Sequence, residues 1–545
     1  MSIELRSEDD VQRQWKRLTW VVSGFAATLV ATPVLASLES IGSDGIDALR
    51  LQQAPYNLDG SKIAIGQVEI GRPSFFGLDK AAGTNPAVRL MGVFFRDTLA
   101  AANDYVDGHA GNVASVMVSQ DKELRGVAPG AMLYSSAAGF LERGGQAEEC
   151  LASQTIAQQN GGELRSINFS FGEPLQNDPR PDAALDGNAL LTQCIDWSAS
   201  VHNVLYVIAG NQGNGGIPIP TDNFNGVNIA NSRQVNGVFR KVDFSNLGSE
   251  PAIVIGRPPD SESNVGPRRS ISLAAPGTNI EMLNPDGSVT QATGTSFAAP
   301  HVTASVALIQ QYGDRQIASR APNWSLDARR SEVTKAVLMN SADKLADAGD
   351  GLRLGMTRDV VDQRQRNWLQ SDAYVDRAIP IDNEMGTGHL NVYRAYQQFS
   401  PGQWSDAAPV PPVGWDFRTV GEGGEAPEFR DYVLQEPLEA NSFVSATLAW
   451  NRQVTLNDEN GNEQYDAEET FTDRGLNNLD IYLMRAEDDD IEDSIWSSVS
   501  EVDSVEHIFH PVSEAGRYKI RVVFRDRVND RTQPYALAWW TVPDR

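Results

Sequence analysis

From about residue 60 to residue 400, short apolar runs alternate with longer stretches of helical length. Runs such as KIAIGQVEI, RSINFSFG and NVLYVIAGN have the length and the β-branched content of buried strands. Segments such as AALDGNALLTQCIDWSASV, which separate such runs, are long enough for helices. This alternation predicts an α/β fold in which helices cover both faces of a mostly parallel sheet.

The pattern changes near residue 400. The stretch SPGQWSDAAPVPPVGW contains four prolines and predicts a stiff linker over residues 401–413, after a domain that spans 37–400. Beyond the linker, runs such as FVSATLAW, YKIRVVF and YALAWW have strand length and are separated by turn residues. Residues 414–545 are therefore predicted to form an antiparallel β-sandwich or jelly roll.

Residues 1–36 have the order of a secretory signal. The cationic pair Lys16-Arg17 precedes the apolar stretch LTWVVSGFAATLVATPVLA, which ends in small residues. The same stretch is marginally long enough for an uncleaved membrane anchor. In both cases the body of the chain is expected outside the cytoplasm, and it meets a membrane only through this segment if the segment is retained.

The charge balance excludes one class of partner. Asp and Glu number 72 against 45 Lys and Arg, which gives a formal net charge of −27. Nucleic-acid binding needs clustered cations, so we expect no nucleic-acid partner. With two cysteines and no HExxH motif, the chain also lacks the signatures of a four-cysteine zinc site and of that type of metalloprotease.

The most informative segment is Gly294-Thr295-Ser296-Phe297-Ala298-Ala299-Pro300-His301-Val302. Ser296 is predicted to lie where a helix begins, and free backbone amides at that end favour a developing oxyanion. The simpler interpretation is an N-cap serine. The whole string resembles the serine motif of the subtilisin-like serine proteases, peptidase family S8. In that family the catalytic order along the chain is acid, histidine, serine.

The sequence contains six histidines, and four of them are set aside by their positions. His301 lies five residues from Ser296 on one helix and points to another face. His389 lies near the end of the catalytic region, and His507 and His510 lie in the predicted sandwich. Gly108-His109-Ala110-Gly111-Asn112-Val113-Ala114 is similar to the family's histidine motif, and the resemblance makes His109 the general base.

The acid departs from the family pattern. The family ends its first strand with Asp-Thr-Gly or Asp-Ser-Gly, whereas this chain has Glu69 followed by Ile70. A glutamate is chemically able to orient a histidine, but its side chain is about 1.5 Å longer on standard bond geometry. The resemblance therefore implies Glu69 as the acid, with Asp104, Asp107 or no working acid as alternatives.

Further matches follow in the family's order. Ala209-Gly210-Asn211 resembles the segment that supplies the oxyanion-hole asparagine, which implies that Asn211 donates to the oxyanion. Ser170, Phe171 and Gly172 resemble the strand edge that binds the substrate backbone. The resemblance implies an exported serine endopeptidase that acts on protein or peptide substrates and needs no cofactor for catalysis.

Two rival functions remain open. A pseudoprotease would use the same scaffold to bind partners without catalysis. A serine-carboxyl peptidase would share the GTS serine but would use a glutamate base in acid. The match around His109 and the Pro300-His301-Val302 tail argue against the second rival.

The predicted sandwich contains a candidate calcium loop. Oxygen-bearing side chains occupy loop positions 1, 3, 5, 9 and 12, as a hard Ca²⁺ ion requires. The candidate ligands are Asp458, Asn460, Asn462, Asp466 and Glu469. Glu463 stands at the turn position where glycine is expected, and a solvated acidic hairpin tip is the alternative.

The two cysteines, Cys150 and Cys194, fall on predicted consecutive helices that flank the strand RSINFSFG. Outside the cytoplasm a disulfide between them is plausible, and two buried thiols are the alternative.

Overall fold

A large mixed sheet forms the centre of the molecule. A computed structural model describes residues 36–80, 86–139, 145–181, 183–210, 219–242 and 268–544 of the chain. Within them the sheet contains ten strands: β1 (Ala64–Glu69), β2 (Leu90–Phe95), β3 (Thr98–Leu99), β4 (Met132–Ala137), β5 (Leu164–Phe169), β6 (Leu205–Ala209), β7 (Val227–Val235), β8 (Val238–Lys241), β9 (Ile271–Pro276) and β12 (Asp359–Val361). Their order is β12-β8-β7-β6-β5-β1-β4-β2-β3, and β9 pairs with β7.

The sheet is mostly parallel, as predicted. β1 pairs in parallel with β4 on one side and with β5 on the other, and β5, β6 and β7 continue in the same sense. The antiparallel pairs are β2 with β3 and β7 with β8. In this arrangement the carboxyl ends of β1, β5 and β6 lie along one edge of the sheet.

Helices flank the sheet. Their bounds are α1 (Ala36–Ile41), α2 (Ala48–Gln52), α3 (Gly108–Val118), α4 (Gln146–Ala157), α5 (Gln159–Gly162), α6 (Leu190–Val201), α7 (Thr295–Ala318), α8 (Ser331–Ser341), α9 (Asp372–Val375) and α10 (Val392–Phe399). The long α7 is buried along most of its length.

Alternate strand residues contribute to two cores. Ile65 and Val207 belong to the core that contains α3 and α7. Val68 and Ile208, which lie three residues and one residue further along the same two strands, belong to the core that contains α4 and α6. Since successive strand residues point to opposite faces, helices cover both faces of the sheet. The predicted fold class is confirmed.

The C-terminal region contains two four-stranded antiparallel sheets. Their strands are β13 (Val413–Gly421), β14 (Phe429–Val433), β15 (Phe443–Ala449), β18 (Asn478–Arg485), β19 (Trp496–Ser498), β20 (Val505–Pro511), β21 (Tyr518–Asp526) and β22 (Thr532–Trp540). The orders are β13-β22-β15-β20 and β14-β21-β18-β19. Alternating buried positions from both sheets share one core, as in a β-sandwich. Two separate hairpins pair β10 (Ile280–Leu283) with β11 (Val289–Ala292) and β16 (Gln453–Asn457) with β17 (Thr470–Gly475).

The proline-rich segment predicted as a linker lies against the sandwich. The amide of Trp404 donates to the carbonyl of Trp415, and the amide of Val410 donates to that of Val433. The predicted signal or anchor lies outside the described residues except for Ala36, which begins α1. Among the helices of the described part of the chain, none combines the length and the apolar character needed to cross a bilayer.

Candidate active site

The predicted nucleophile lies at the start of α7, beside the end of β6. Thr295 Oγ1 donates a buried hydrogen bond of 2.8 Å to the carbonyl of Gly210, the residue that follows β6. Ser296 is the second residue of α7, and its side chain is partly exposed. Because the first amides of a helix have no partners within it, the Ser296 hydroxyl lies at a terminus that favours negative charge.

Two reciprocal hydrogen bonds join Ser296 to the predicted substrate segment. The Ser296 hydroxyl donates to the carbonyl of Ser170 at 3.1 Å, and the Ser170 hydroxyl donates to the carbonyl of Ser296 at 2.8 Å. Asn168, in β5, donates its side-chain amide to the Ser170 hydroxyl at 2.8 Å. Phe171 stacks on Phe169 with ring centroids 5.1 Å apart. The end of β5, from which Ser170 to Gly172 continue, is therefore fixed beside the predicted nucleophile.

His109 lies near the start of α3, next to the serine helix. Asp107 caps α3, since its carboxylate accepts a hydrogen bond of 3.0 Å from the amide of Ala110. The His109 ring lies 5.7 Å, centroid to centroid, from the ring of Phe297, the residue after Ser296. The His109 side chain is 39% exposed, which leaves it accessible to a substrate.

The carboxylate that faces His109 belongs to Glu69, the last residue of β1. Glu69 Oε2 lies 3.4 Å from His109 Nδ1, and only 3% of the Glu69 side chain is exposed. The two alternative acids are placed differently: Asp104 is exposed at the surface, and Asp107 is the helix cap. Within the described residues, Glu69 Oε1 is buried and has no hydrogen-bond partner.

Burial and the charge of the partner shift the pKa values of Glu69 and of His109 in opposite directions. Burial is the largest influence on Glu69 and raises the pKa of its carboxyl, whereas the charge of His109 and the polar side chains of His109 and Gln67 lower that pKa. Burial is also the largest influence on His109 and lowers its pKa. The carboxylate of Glu69 and the charge of Asp107 together outweigh burial, so the pKa of His109 is raised above 6.5. The protonated imidazole is therefore stabilised by its neighbours.

Ser296 and His109 are neighbours without being hydrogen-bonded. In the part of the chain that the structure describes, the Ser296 hydroxyl uses its proton for the Ser170 carbonyl. Catalytic hydrogen bonds are commonly long or misaligned without substrate and tighten when it binds.

The predicted oxyanion donor, Asn211, lies outside the described residues. Its predecessor, Gly210, receives the hydrogen bond from Thr295 and donates its own amide to the carbonyl of Ile229 at 2.9 Å. The role of Asn211 remains a prediction.

One buried residue at the site was missed by the sequence analysis. Gln67 is fully buried in β1, and its Nε2 donates at 3.0 Å to the carbonyl of Ala110, in the first turn of the His109 helix. The signal was present in the strand, since Gln67 and Glu69 are two residues apart and share one face. A polar residue in an otherwise apolar strand was not read as part of the site.

The candidate calcium loop connects β16 to β17. Asp458 accepts hydrogen bonds from the amides of Gly461 and Glu463, and Asp466 Oδ2 accepts from the side-chain amides of Asn460 and Asn462. The expected glycine position is strained, because Glu463 has a φ of 59°, in the left-handed region.

Hydrogen bonds within the loop also occupy its last predicted ligand. Glu469 accepts from the amides of Glu459 and Asp466. No group of three or more His, Cys, Asp or Glu in the described ranges is arranged to hold a metal ion. Calcium binding therefore remains a prediction.

The cysteine pair is a disulfide. Cys150 in α4 and Cys194 in α6 are bonded, with their Cα atoms 5.9 Å apart. The bond joins the two helices that cover one face of the sheet, and the hairpin β16–β17 packs beside it through Tyr465 and Phe471.

Comparison with known proteins agrees with the motifs. Residues 94–357 match the model of the subtilase family. Subtilisin Savinase of Lederbergia lenta is 27% identical over 222 residues, which are 40% of this chain and 66% of that protein. A thermostable alkaline protease of Halalkalibacterium halodurans is 25% identical over 279 residues, which are 50% of this chain and 64% of that protein.

These matches have a limited span. The chain covers about two thirds or less of the length of these relatives. A solved structure of MycP1 without its N-terminal propeptide has 17% identity over 64% of this chain and 95% of that one, with a TM-score of 0.39 that carries no argument. The family match includes His109 and Ser296 and begins after Glu69, the position at which the acid motif departs from the family. Residues 94–357, a little under half of the chain, therefore resemble the subtilase family.

Proposed function

We propose that this chain is a serine endopeptidase that hydrolyses protein or peptide substrates outside the cytoplasm. The observation that carries the proposal is the pairing of Glu69 with His109 beside the helix terminus that holds Ser296. A buried carboxylate, an accessible imidazole and a partly exposed serine are the three parts of a charge-assisted nucleophile. The match of residues 94–357 to the subtilase family model supports the same chemistry.

The reaction begins at the serine hydroxyl. Ser296 Oγ leaves the carbonyl of Ser170, gives its proton to His109 Nε2 and attacks the scissile carbonyl carbon. Glu69 holds Nδ1–H of His109 and stabilises the imidazolium that forms. The backbone amide of Ser296 and the side chain of Asn211 donate to the oxyanion.

The acyl-enzyme forms when the peptide C–N bond breaks. His109 returns the proton to the leaving amine and then takes a proton from the water that attacks the acyl carbon. It gives this proton to Ser296 Oγ as the acyl C–O bond breaks and the carboxylic acid product leaves. Ser170, Phe171 and Gly172 hold the substrate backbone in an extended conformation, which gives affinity without dependence on side chains.

Location outside the cytoplasm is supported by the disulfide. Structural disulfides persist in oxidising compartments and are rare in the cytosol. The order of residues 1–36, which is typical of a signal or an anchor, favours the same location.

A second candidate is a pseudoprotease that binds partners without cleaving them. It is favoured by Glu69, which replaces the family's aspartate, and by the orphaned Oε1 of that side chain among the described residues. An unsatisfied buried carboxylate oxygen costs stability, and it shows that the Glu69 carboxylate is incompletely held at the position where the acid departs from the family.

Peptide hydrolysis by the purified full chain separates the two candidates. We expect cleavage of a quenched fluorescent peptide library by the wild type and none by Ser296→Ala. Ser305→Ala is the matched control, because Ser305 lies on the same helix and, among the described residues, its hydroxyl bonds only the carbonyl of His301. Wild-type protein that is folded and inactive, or Ser296→Ala protein that is fully active, would reject the peptidase.

A further inference from the structure

Gln67 is an unusual residue for its place in the fold. It lies in β1, between β4 and β5, where its register partners are Ser135 and Asn168. No part of Gln67 is exposed. A buried amide costs free energy unless its hydrogen bonds are made, so this position has a structural or functional reason to be polar.

The contacts of Gln67 connect two parts of the candidate active site. Its Nε2 donates to the carbonyl of Ala110, the residue that follows His109, at 3.0 Å. Its side chain shares the face of β1 from which Glu69 projects, and its polar group lowers the pKa of the Glu69 carboxyl. Gln67 therefore touches both the strand that holds the acid and the helix turn that holds the base.

The Glu69 carboxylate needs a neighbouring polar group to hold its orientation. The residue that follows the acid is Ile70, which has no hydroxyl to donate to the carboxylate. In the described part of the chain, Oε1 of Glu69 and Oε1 of Gln67 both lack hydrogen-bond partners. Apart from Glu69 itself, Gln67 is the one polar residue of β1. Its amide is therefore the side-chain group of this strand that is able to orient Glu69.

We infer that Gln67 is the positioning residue of the Glu69–His109 pair, an inference that rests on the proposed function. It ties the first turn of α3 to β1 and limits the rotation of the longer glutamate side chain. The separation of 3.4 Å between Glu69 Oε2 and His109 Nδ1 depends on that restraint. Gln67 touches no substrate and acts only through its two neighbours.

The role predicts a particular pH effect. Among the described residues, the charged groups that act on this pair are Glu69, His109 and Asp107. The amide of Gln67 favours the ionised carboxylate of Glu69. Its removal raises the pKa of Glu69, weakens the negative field at the imidazole and lowers the pKa of His109.

Gln67→Met tests the inference, because methionine has a similar length and no amide. We expect kcat to fall about 10-fold to 100-fold, as for misplacement by about 1 Å, while KM stays near the wild-type value. An NMR titration of the His109 imidazole in the full chain is expected to show a lower pKa. That readout needs no turnover, so it tests the inference even if the protein proves not to be a peptidase.

A double-mutant cycle distinguishes positioning from general destabilisation. In a Glu69→Gln background, Gln67→Met is expected to cause no further loss of kcat. The matched control is Gln310→Leu, because Gln310 is also buried and donates to a backbone carbonyl, that of Ala328, away from the site. This control is expected to lower thermal stability and to leave the pKa of His109 unchanged.

If Gln67→Met does not fold, Gln67→Ser takes its place, since buried serines already occupy the neighbouring strands at Ser135 and Ser166. An unchanged pKa of His109 in the folded variant overturns the inference. The inference is also overturned if Gln67→Met lowers kcat by the same factor in the wild type and in the Glu69→Gln background. If the wild type is inactive but Gln67→Met still lowers the pKa of His109, the proposed peptidase function is rejected and the positioning role of Gln67 stands.

Discussion

The unusual residue of the candidate triad is its acid. A glutamate in place of the family's aspartate carries one more methylene, about 1.5 Å of extra length. The structure places Glu69 at the very end of β1, with Oε2 3.4 Å from the imidazole. The longer side chain thus spans the distance to His109 from this backbone position.

Glu69→Asp is therefore expected to be harmful, although it creates the usual residue of the family. The shorter carboxylate would withdraw from His109, and a displacement of about 1 Å costs about 100-fold in rate. We expect kcat/KM to fall by about that factor. Steady-state kinetics on the full chain would measure it, and activity equal to or above that of the wild type would contradict the geometry.

The pH dependence of the wild type follows from the raised pKa of His109. A base acts when neutral, so activity is lost as the pH falls through the pKa of His109, which lies above 6.5. In Glu69→Gln the carboxylate charge is gone and this pKa falls, so the acid limb of kcat/KM is expected at lower pH and with a lower maximum. An acid limb that stays in place would show that Glu69 does not act on His109.

The site residues that lie in family motifs were predicted from the sequence. Glu69 and His109 were chosen from residue type and order, and they lie in contact. The bonds between Ser170 and Ser296, and the contact of Gln67 with the Ala110 carbonyl, were not predicted. These contacts depend on how β1, β5, α3 and α7 pack against one another, and local sequence patterns do not predict packing between distant segments.

At the scale of elements, the apolar runs predicted the strands well, because buried parallel strands are nearly continuous in apolar residues. Strand order was out of reach, since it depends on pairings between distant segments such as β1 with β4 and β5. The segment between β16 and β17 is predicted from sequence as a calcium loop or as a solvated acidic hairpin tip of the sandwich. In the structure it also docks on α4, where Gln154 exchanges two hydrogen bonds with the backbone of Tyr465.

The calcium prediction belongs to that hairpin. The side-chain oxygens of its loop accept amide hydrogens in this structure, so Ca²⁺ would have to replace those bonds. If the loop binds Ca²⁺, millimolar Ca²⁺ is expected to raise the thermal midpoint of the wild type, because a ligand that binds the folded state stabilises it.

Asp458→Asn and Glu469→Gln are expected to abolish the calcium-induced increase in the thermal midpoint. Asp488→Asn, in another acidic loop, is the control and is expected to retain it. An identical midpoint with and without Ca²⁺ in the wild type would end the calcium hypothesis and leave an acidic hairpin tip.

At the scale of the whole molecule, the sandwich is joined to the α/β region by buried polar contacts. Arg452, beside β16, donates to Asp196 in α6 and to the carbonyl of Gly187. Both side chains of this ion pair are almost completely buried. Ser445 in β15 bonds to Asn340 in α8, and Trp415 and Ala538 belong to the same core as α7. The proline-rich segment predicted to separate two domains thus precedes a closely packed interface.

Arg452→Met is expected to destabilise the whole chain. Removal of one partner of a buried ion pair leaves an uncompensated charge on Asp196 and costs about 3–5 kcal/mol. Chemical denaturation would measure this loss. Arg485→Met is the control, because Arg485 pairs with the largely exposed Glu514, and such surface pairs contribute about 0–1 kcal/mol. Equal losses in the two variants would contradict a tightly coupled interface.

The most direct test of the central claim is the reaction of the folded full chain with a fluorophosphonate, followed by intact mass and peptide mapping. The proposed triad predicts a single adduct on Ser296, formed faster as the pH rises through the pKa of His109, and absent from Ser296→Ala. No adduct in folded protein, or an adduct on another serine that persists in Ser296→Ala, would contradict it.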